Sequence, residues 1–350
     1  MFGYWLLFGV FAVGALTEHP YDHWQTPRLD VLFALAMLVL MLMVGLRYEV
    51  GGDWGSYMRL FNFFEYGTFS QIFSWGDPAY QALGWLAHQF GAGIWFVNLV
   101  CAALFSWGLY RFALTQPSPW LTIVVAIPYL VIVVAMGYTR QAVAIGIIMA
   151  GLARFQFHSS VLRFAPYVLV AALFHRTAVI ALPLVAIGGR RNKLVNLMIV
   201  ICATAALYDA LVAQEIDRLV RNYVKTELNS TGAAIRVSMS VIPAAIFLIG
   251  RDKLGFKLHE SSIWRNFAFA SIAALIALPL ATSTVVDRLS LYLLPLQLAV
   301  MPRLSGVSGS NAVGKLMVLS YALMVQFTWL NFGTNSFYWL PYKLTLFASP

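Results

Sequence analysis

Residues 29–57 read LDVLFALAMLVLMLMVGLRYEVGGDWGSY, an apolar run over 29–46 that stops at Arg47 and passes at once into a glycine-rich polar turn. A helix needs about 20 mostly apolar residues to cross the hydrocarbon of a bilayer. The run is therefore read as a transmembrane helix, with Arg47 at its edge. Similar runs occur at 2–17, 93–113, 120–138, 141–156, 194–210, 234–250, 264–283, 286–302 and 312–331. The run at 164–189 is broken by His175-Arg176. Each of its arms has only about 12 residues, so it reads as two short spans or as a re-entrant hairpin.

The expected fold is all-α: a polytopic membrane protein of about 10–12 transmembrane helices in a single integral domain over 1–350. Composition agrees, with 61% hydrophobic and 11% charged residues and a mean hydropathy of +0.76. A soluble domain carries about 25% charged residues. Barrel strands would show alternating segments of about ten residues, which are not seen. The first run lacks a basic start and a clear small-residue cleavage site, so it is expected to be retained. Residues 78–90 set Tyr80, Leu83, Trp85, Leu86 and Phe90 among polar residues, the pattern of a short amphipathic helix lying on the membrane surface.

Basic residues in short loops set orientation. Loops holding Arg28, Arg111, Arg154, Arg190, Arg191, Arg251, Arg303 and Lys315 carry most of the excess behind the net charge of +9. That side is expected to be cytoplasmic, with both termini and two larger loops, 47–79 and 211–233, outside. The charge forms no basic block and no RNA-binding motif accompanies it, which argues against nucleic acid as a partner. Cys101 and Cys202 lie in apolar runs and read as small core hydrophobes, with no metal-ligand spacing nearby.

Four arginines then stand on the outer side, against the usual bias: Arg47, Arg140, Arg176 and Arg288. Cations held at the edge of hydrocarbon usually line a polar cavity or meet an anion, and a phosphorylated lipid suits the place. Arg47 opens the turn Gly51-Gly52-Asp53-Trp54-Gly55-Ser56-Tyr57, where glycines let the backbone bend sharply. Asp53 is positioned to cap a helix, with Tyr57 one turn along. Tyr138-Thr139-Arg140-Gln141 joins two spans. Phe174-His175-Arg176-Thr177 interrupts one, and neutral imidazole can accept protons near pH 7. Asp287-Arg288 is followed one turn later by Tyr292. Each has a plain structural alternative: a capped turn, a snorkelling arginine, a hydrogen-bonded core histidine, or a helix-start pair.

The ordered set Arg47…Gly52-Asp53…Tyr57, Arg140-Gln141-Ala142…Ala144, Phe174-His175-Arg176-Thr177-Ala178…Pro183, Arg288…Tyr292 and Pro341-Tyr342-Lys343 resembles the EpsG-type family of Wzy-like bacterial polysaccharide polymerases. The set runs through nearly the whole chain. It departs at Arg176, where the family more often has Lys, and the two differ in hydrogen-bonding geometry. The resemblance implies a GT-C-like helical fold in the bacterial inner membrane with the active site facing the periplasm. It also implies a reaction that joins oligosaccharide repeat units carried on undecaprenyl diphosphate. A chain-length regulator and a flippase are expected partners on the resemblance alone, beside the membrane lipid.

On this reading Arg47, Arg140, Arg176 and Arg288 bind the diphosphate. Asp53 or His175 is the base for the acceptor hydroxyl, Arg140 acts at the reacting centre, and Tyr57, Gln141, Tyr292 and Tyr342 line the substrate groove. No DxD-like acidic pair is evident, so metal-independent chemistry without a cofactor is expected. Two rival functions share some of these features: an O-antigen ligase-like transferase, and a non-enzymatic transporter or flippase of the same lipid-linked oligosaccharide. A ligase is expected to carry a large outer domain. A transporter is expected to carry internal repeats and polar groups through the whole bilayer.

Overall fold

The computed structural model describes residues 1–18, 30–68, 70–71, 76–158, 160–186, 232–280, 283–307 and 311–345, with isolated positions between 198 and 205. The expected span 194–210 and nearly all of the expected loop 211–233 lie outside the described residues. Among the described residues the structure is helical, with one isolated two-residue bridge between Arg47 and Leu344.

In chain order the helices are α1 (Phe2–Thr17), α2 (Val31–Gly45), α3 (Trp54–Phe63), α4 (Pro78–Gln89), α5 (Ile94–Ala113), α6 (Pro119–Ala126), α7 (Thr139–His158), α8 (Val161–Phe174) and α9 (Ala181–Ala186). They continue with α10 (Ala233–Gly250), α11 (Leu258–Ala277), α12 (Ser283–Ser290), α13 (Leu294–Val300) and α14 (Asn311–Phe332). Short 3-10 turns at Leu291–Leu293 and Met301–Gly306 extend α12 and α13 into one apolar rod, Ser283–Gly306. That rod, α5, α10 and α14 are long and apolar enough to cross a membrane by length and composition.

The shorter apolar helix α1 runs between the same two ends of the bundle as α14. In α1, the Tyr4 hydroxyl donates to the carbonyl of Trp339, just past α14, at one end. At the other end Lys315 Nζ, at the start of α14, donates to the carbonyls of Ala15 (2.7 Å) and Glu18 (2.6 Å). So α1 and α14 lie antiparallel over their full length. That second end also holds Ser118 donating to the Glu18 carboxylate, Trp120 Nε1 donating to Asp30 at 3.0 Å, and Arg303 donating to Gln116 at 2.6 Å.

The middle of the bundle is α6 and the wide-pitched π segment that continues it, Ile127–Ala135, where every residue from 118 to 137 is buried. A helix apolar on all sides belongs inside a bundle. Pro128, in the first turn of the π segment, offers no N–H and crowds the carbonyl four residues back. Widening the turn is the usual accommodation.

As expected, α4 does not span. Its first residues lie beside Arg140, and α5, which follows it, brings Asn98 to Arg47, so both ends of α4 sit at the same end of the bundle. Its buried face is Tyr80, Gln81, Gly84 and Ala87, while Phe90 is exposed. The broken run at 164–189 divides at His175: α8 climbs to the Arg140 end, and residues 176–186 turn back until the Leu184 carbonyl accepts from Asn266 of α11 at 2.8 Å. The expectation for the two cysteines divides as well. Cys101 is buried in α5, whereas Cys202 is exposed.

Candidate functional site

The loops at the Arg47 end are fixed by the chain after α14. Trp339 is fully enclosed there, its Nε1 donating to the Ile132 carbonyl at 2.7 Å. Gly51 donates to the Tyr338 carbonyl at 2.9 Å, and Tyr48 donates to that of Lys343 at 3.0 Å. Gly51 holds φ +109, and a Cβ there would lie 2.2 Å from the Met136 carbonyl. Glycine is required by both conformation and space.

Arg47 turns inward. It is 1% exposed, and its guanidinium donates to the Val44 carbonyl (2.6 Å), Asn98 Oδ1 (3.3 Å) and Thr139 Oγ1 (2.7 Å). It ties α2, α5 and the start of α7 together. The next residue after Thr139 is Arg140, so this tie sets where α7 begins.

Arg140 Nη1 lies 2.7 Å from Asp77 Oδ2, with its guanidinium 5.7 Å from the Tyr57 ring and 5.9 Å from the Tyr80 ring. Asp77 stands at the start of α4 with φ +37 and is 5% exposed. Its other oxygen accepts from the backbone N–H of Arg176 at 3.4 Å, and His175 Nδ1 lies 3.6 Å from Oδ2. Burial works against ionisation of Asp77, but His175, Arg140 and the Arg176 N–H outweigh it and hold the carboxyl below the usual aspartate range. The Arg176 guanidinium lies beside Gly76, where a Cβ would come within 2.8 Å of Nη2.

Asp53 occupies the position before α3, as expected, but its side chain does not cap the helix. It faces Arg288, 3.9 Å away, and burial raises its carboxyl above the ordinary value although Arg288 and Arg140 pull the other way. Arg288 also lies over the Tyr138 ring, 4.0 Å from its centroid. Asp287 pairs with Arg236 of α10 rather than with its neighbour, through two contacts of 2.8 Å. This two-pronged geometry is the strong form of an arginine–carboxylate pair.

The residues expected to line a groove make hydrogen bonds within the protein. Gln141 Nε2 donates to the Arg288 carbonyl at 2.6 Å. The Tyr292 hydroxyl bonds Thr177, beside Arg176, at 3.2 Å. Tyr57 is buried, with its hydroxyl 3.5 Å from the Arg140 N–H and its ring against Tyr80. Tyr342 donates to the Met43 carbonyl at 2.8 Å and packs edge-on against Tyr4.

Arg140, Arg176, Arg288, Asp53 and His175 thus gather from separate segments at one end of the bundle, and each is part-exposed. Sequence reasoning did not place Asp77 or Arg236 at the site, and it read Tyr80 only as part of an amphipathic face. Gly76-Asp77-Pro78 carries a signal for Asp77, since an acidic residue before a proline commonly opens a helix. Arg236 is one basic residue in an apolar run, and nothing in its neighbours announces Asp287. Among the described residues no three His, Cys, Asp or Glu side chains come together as a metal site.

These features define a multi-pass helical membrane protein with an arginine-rich polar cluster at one end of its bundle. The sequence model of the EpsG family matches residues 30–344, so the chain belongs to that family of Wzy-like polysaccharide polymerases, and the protein is a membrane enzyme of the polymerase type. No curated protein and no solved structure matches it.

Proposed function

We propose that the protein lengthens a surface polysaccharide by joining oligosaccharide repeat units carried on undecaprenyl diphosphate, at the outer face of the bacterial inner membrane. The observation that carries this reading is the convergence of Arg140, Arg176 and Arg288, part-exposed, around the carboxylates of Asp77 and Asp53 at one end of the bundle. Arginine forks match phosphate oxygens, and the interface strengthens such contacts by excluding water.

In this reaction a hydroxyl oxygen of the incoming repeat unit forms a bond to the anomeric carbon of the growing chain. The bond from that carbon to the diphosphate breaks, and undecaprenyl diphosphate leaves with the electron pair. Arg140, Arg176 and Arg288 stabilise the charge that develops on it. The hydroxyl proton passes to His175, whose Nδ1 lies 3.6 Å from Asp77 Oδ2, which leaves Nε2 for the acceptor. Asp53 holds Arg288 in place between turnovers. Arg47, enclosed and bonded to Thr139, positions Arg140 rather than touching substrate. The arginines serve in place of a cation, so the reaction runs without a metal.

The test is purified protein in vesicles with the lipid-linked repeat unit as sole substrate, with and without EDTA. A ladder growing by whole repeats, lipid diphosphate released, and no effect of EDTA are the expected results. Substrate that crosses the bilayer without a ladder would make the protein a transporter. A ladder abolished by EDTA would remove the metal-free step.

A further inference from the structure

A concavity opens at the same end, lined by the glycine-rich turn. Its volume is about 520 Å³, and it lies between the 49–59 segment and the chain after α14. Glu49, Trp54 and Arg59 line one wall, and Phe337, Tyr338 and Lys343 the other. The walls are built rather than loose. Lys343 Nζ meets Glu49 at 2.6 Å across the rim, Arg59 donates to Ser56 at 3.0 Å, and Gly51 and Tyr48 hydrogen-bond the far wall. Glu49 is held at φ +52, an uncommon conformation for a residue with a side chain. Such strain, where surroundings enforce it, clusters at ligand sites.

Two large aromatics stay open to this space. Phe337 is 61% exposed and Tyr338 48%, their rings 4.1 Å apart, directly beside the enclosed Trp339. A chain that buries Trp339 completely leaves its two neighbours uncovered over a polar cavity. Aromatic faces beside fixed charged and hydroxyl groups suit a ligand with an apolar face and a polar edge. A pyranose ring has that form: its C–H face packs on an aromatic ring while its equatorial hydroxyls bond a guanidinium and a carboxylate.

We infer that this cavity binds a saccharide ring of the glycan, apart from the reducing end where the diphosphate sits. The inference rests on the function proposed above, since it names where that substrate's sugars lie. Phe337 and Tyr338 stack on the ring, and Arg59 and Glu49 take its hydroxyls. Asp53, two residues beyond Gly51, links this cavity to the arginine cluster, so a glycan held here leads toward the reacting hydroxyl.

The test measures binding, which does not depend on turnover. The probe is the lipid-free repeat-unit oligosaccharide released from the host's own surface polysaccharide, titrated calorimetrically into the full-length protein in nanodiscs. Arg59→Gln, on an exposed helix face, and Tyr338→Ala should each weaken binding by about tenfold or more. Arg251→Gln, exposed beyond the other end of α10, should bind like the unmodified protein. Failure of the unmodified protein to bind, or unchanged affinity in both cavity variants, would overturn the inference. If binding is lost in the variants but no ladder ever forms, the saccharide site stands and the polymerase reading falls. In the ladder assay, shorter chains in Tyr338→Ala would assign the ring to the growing polymer. A raised KM at unchanged length would assign it to the incoming unit.

Discussion

Asp77 and Arg140 meet at 2.7 Å although 63 residues separate them, and the rest of the site is arranged around that contact. Asp77 also takes the Arg176 N–H and faces His175, so one carboxylate sets three of the expected functional residues. Arg140→Ala is expected to abolish polymer while the protein stays in the membrane, read by gel and by immunoblot of the membrane fraction. Asp77→Asn keeps the shape but removes the charge. It should lower kcat by about 10²-fold, the scale of a general-base contribution, with little change in KM. Arg176→Lys should keep part of the activity if charge alone matters, and complete loss would show that the fork is needed.

The aspartates also set the pH response. The Asp53 carboxyl is raised by burial, so acidification protonates it before an ordinary aspartate and frees Arg288. The acid limb of kcat/KM should therefore fall above about pH 3.9 and move in Asp53→Asn. Asp77 has the opposite sign. Its depressed value means that its pairing stabilises the fold at and above the ordinary aspartate pKa, and that this is lost as pH falls through the lower folded value.

At the scale of elements, the site depends on how the chain after α14 closes over the ends of α1, α2 and the π segment. Trp339 is the wedge: a Cβ on Gly137 would lie 2.4 Å from its ring. Gly137→Ala should displace that ring and destabilise the protein by about 1–3 kcal/mol, seen as a lower Tm in detergent. Unaltered unfolding would mean that the wedge can shift freely. The amphipathic α4 was legible in the sequence because a polar and aromatic twelve-residue stretch is too short to span a bilayer. The π segment was not. Pro128 marks a disturbance, but whether a helix kinks, breaks or widens there depends on what packs against it.

At the scale of the molecule, the end away from the site is locked by buried charge. Arg303 donates to Gln116 and to the Ala299 carbonyl, both at 2.6 Å, lies 3.7 Å from Glu260, and covers the Phe256 ring at 4.0 Å. It joins α11, α13 and the link between α5 and α6. Arg303→Ala would leave Glu260 buried without its cation and should cost about 3–5 kcal/mol. The measurable result is a smaller yield of folded protein with near-normal turnover per folded molecule. A loss of turnover at normal yield would instead couple this end to the reaction.

The sequence by itself determined the membrane class, the approximate span positions, and the segments that carry Arg140, His175-Arg176 and Arg288. Those properties are local: each needs only a run of apolar residues and a charge that interrupts it. What tertiary structure alone decided is which charges face the open end and which are used within the protein. Arg47 and Arg140 look alike in sequence, each beside an apolar run, yet Arg47 found three acceptors inside the bundle and Arg140 found Asp77 at its rim. A guanidinium at the edge of a span takes the nearest partners, and those partners come from helices distant in the chain. The same holds for Asp287, paired with Arg236 across the bundle instead of with Arg288 beside it.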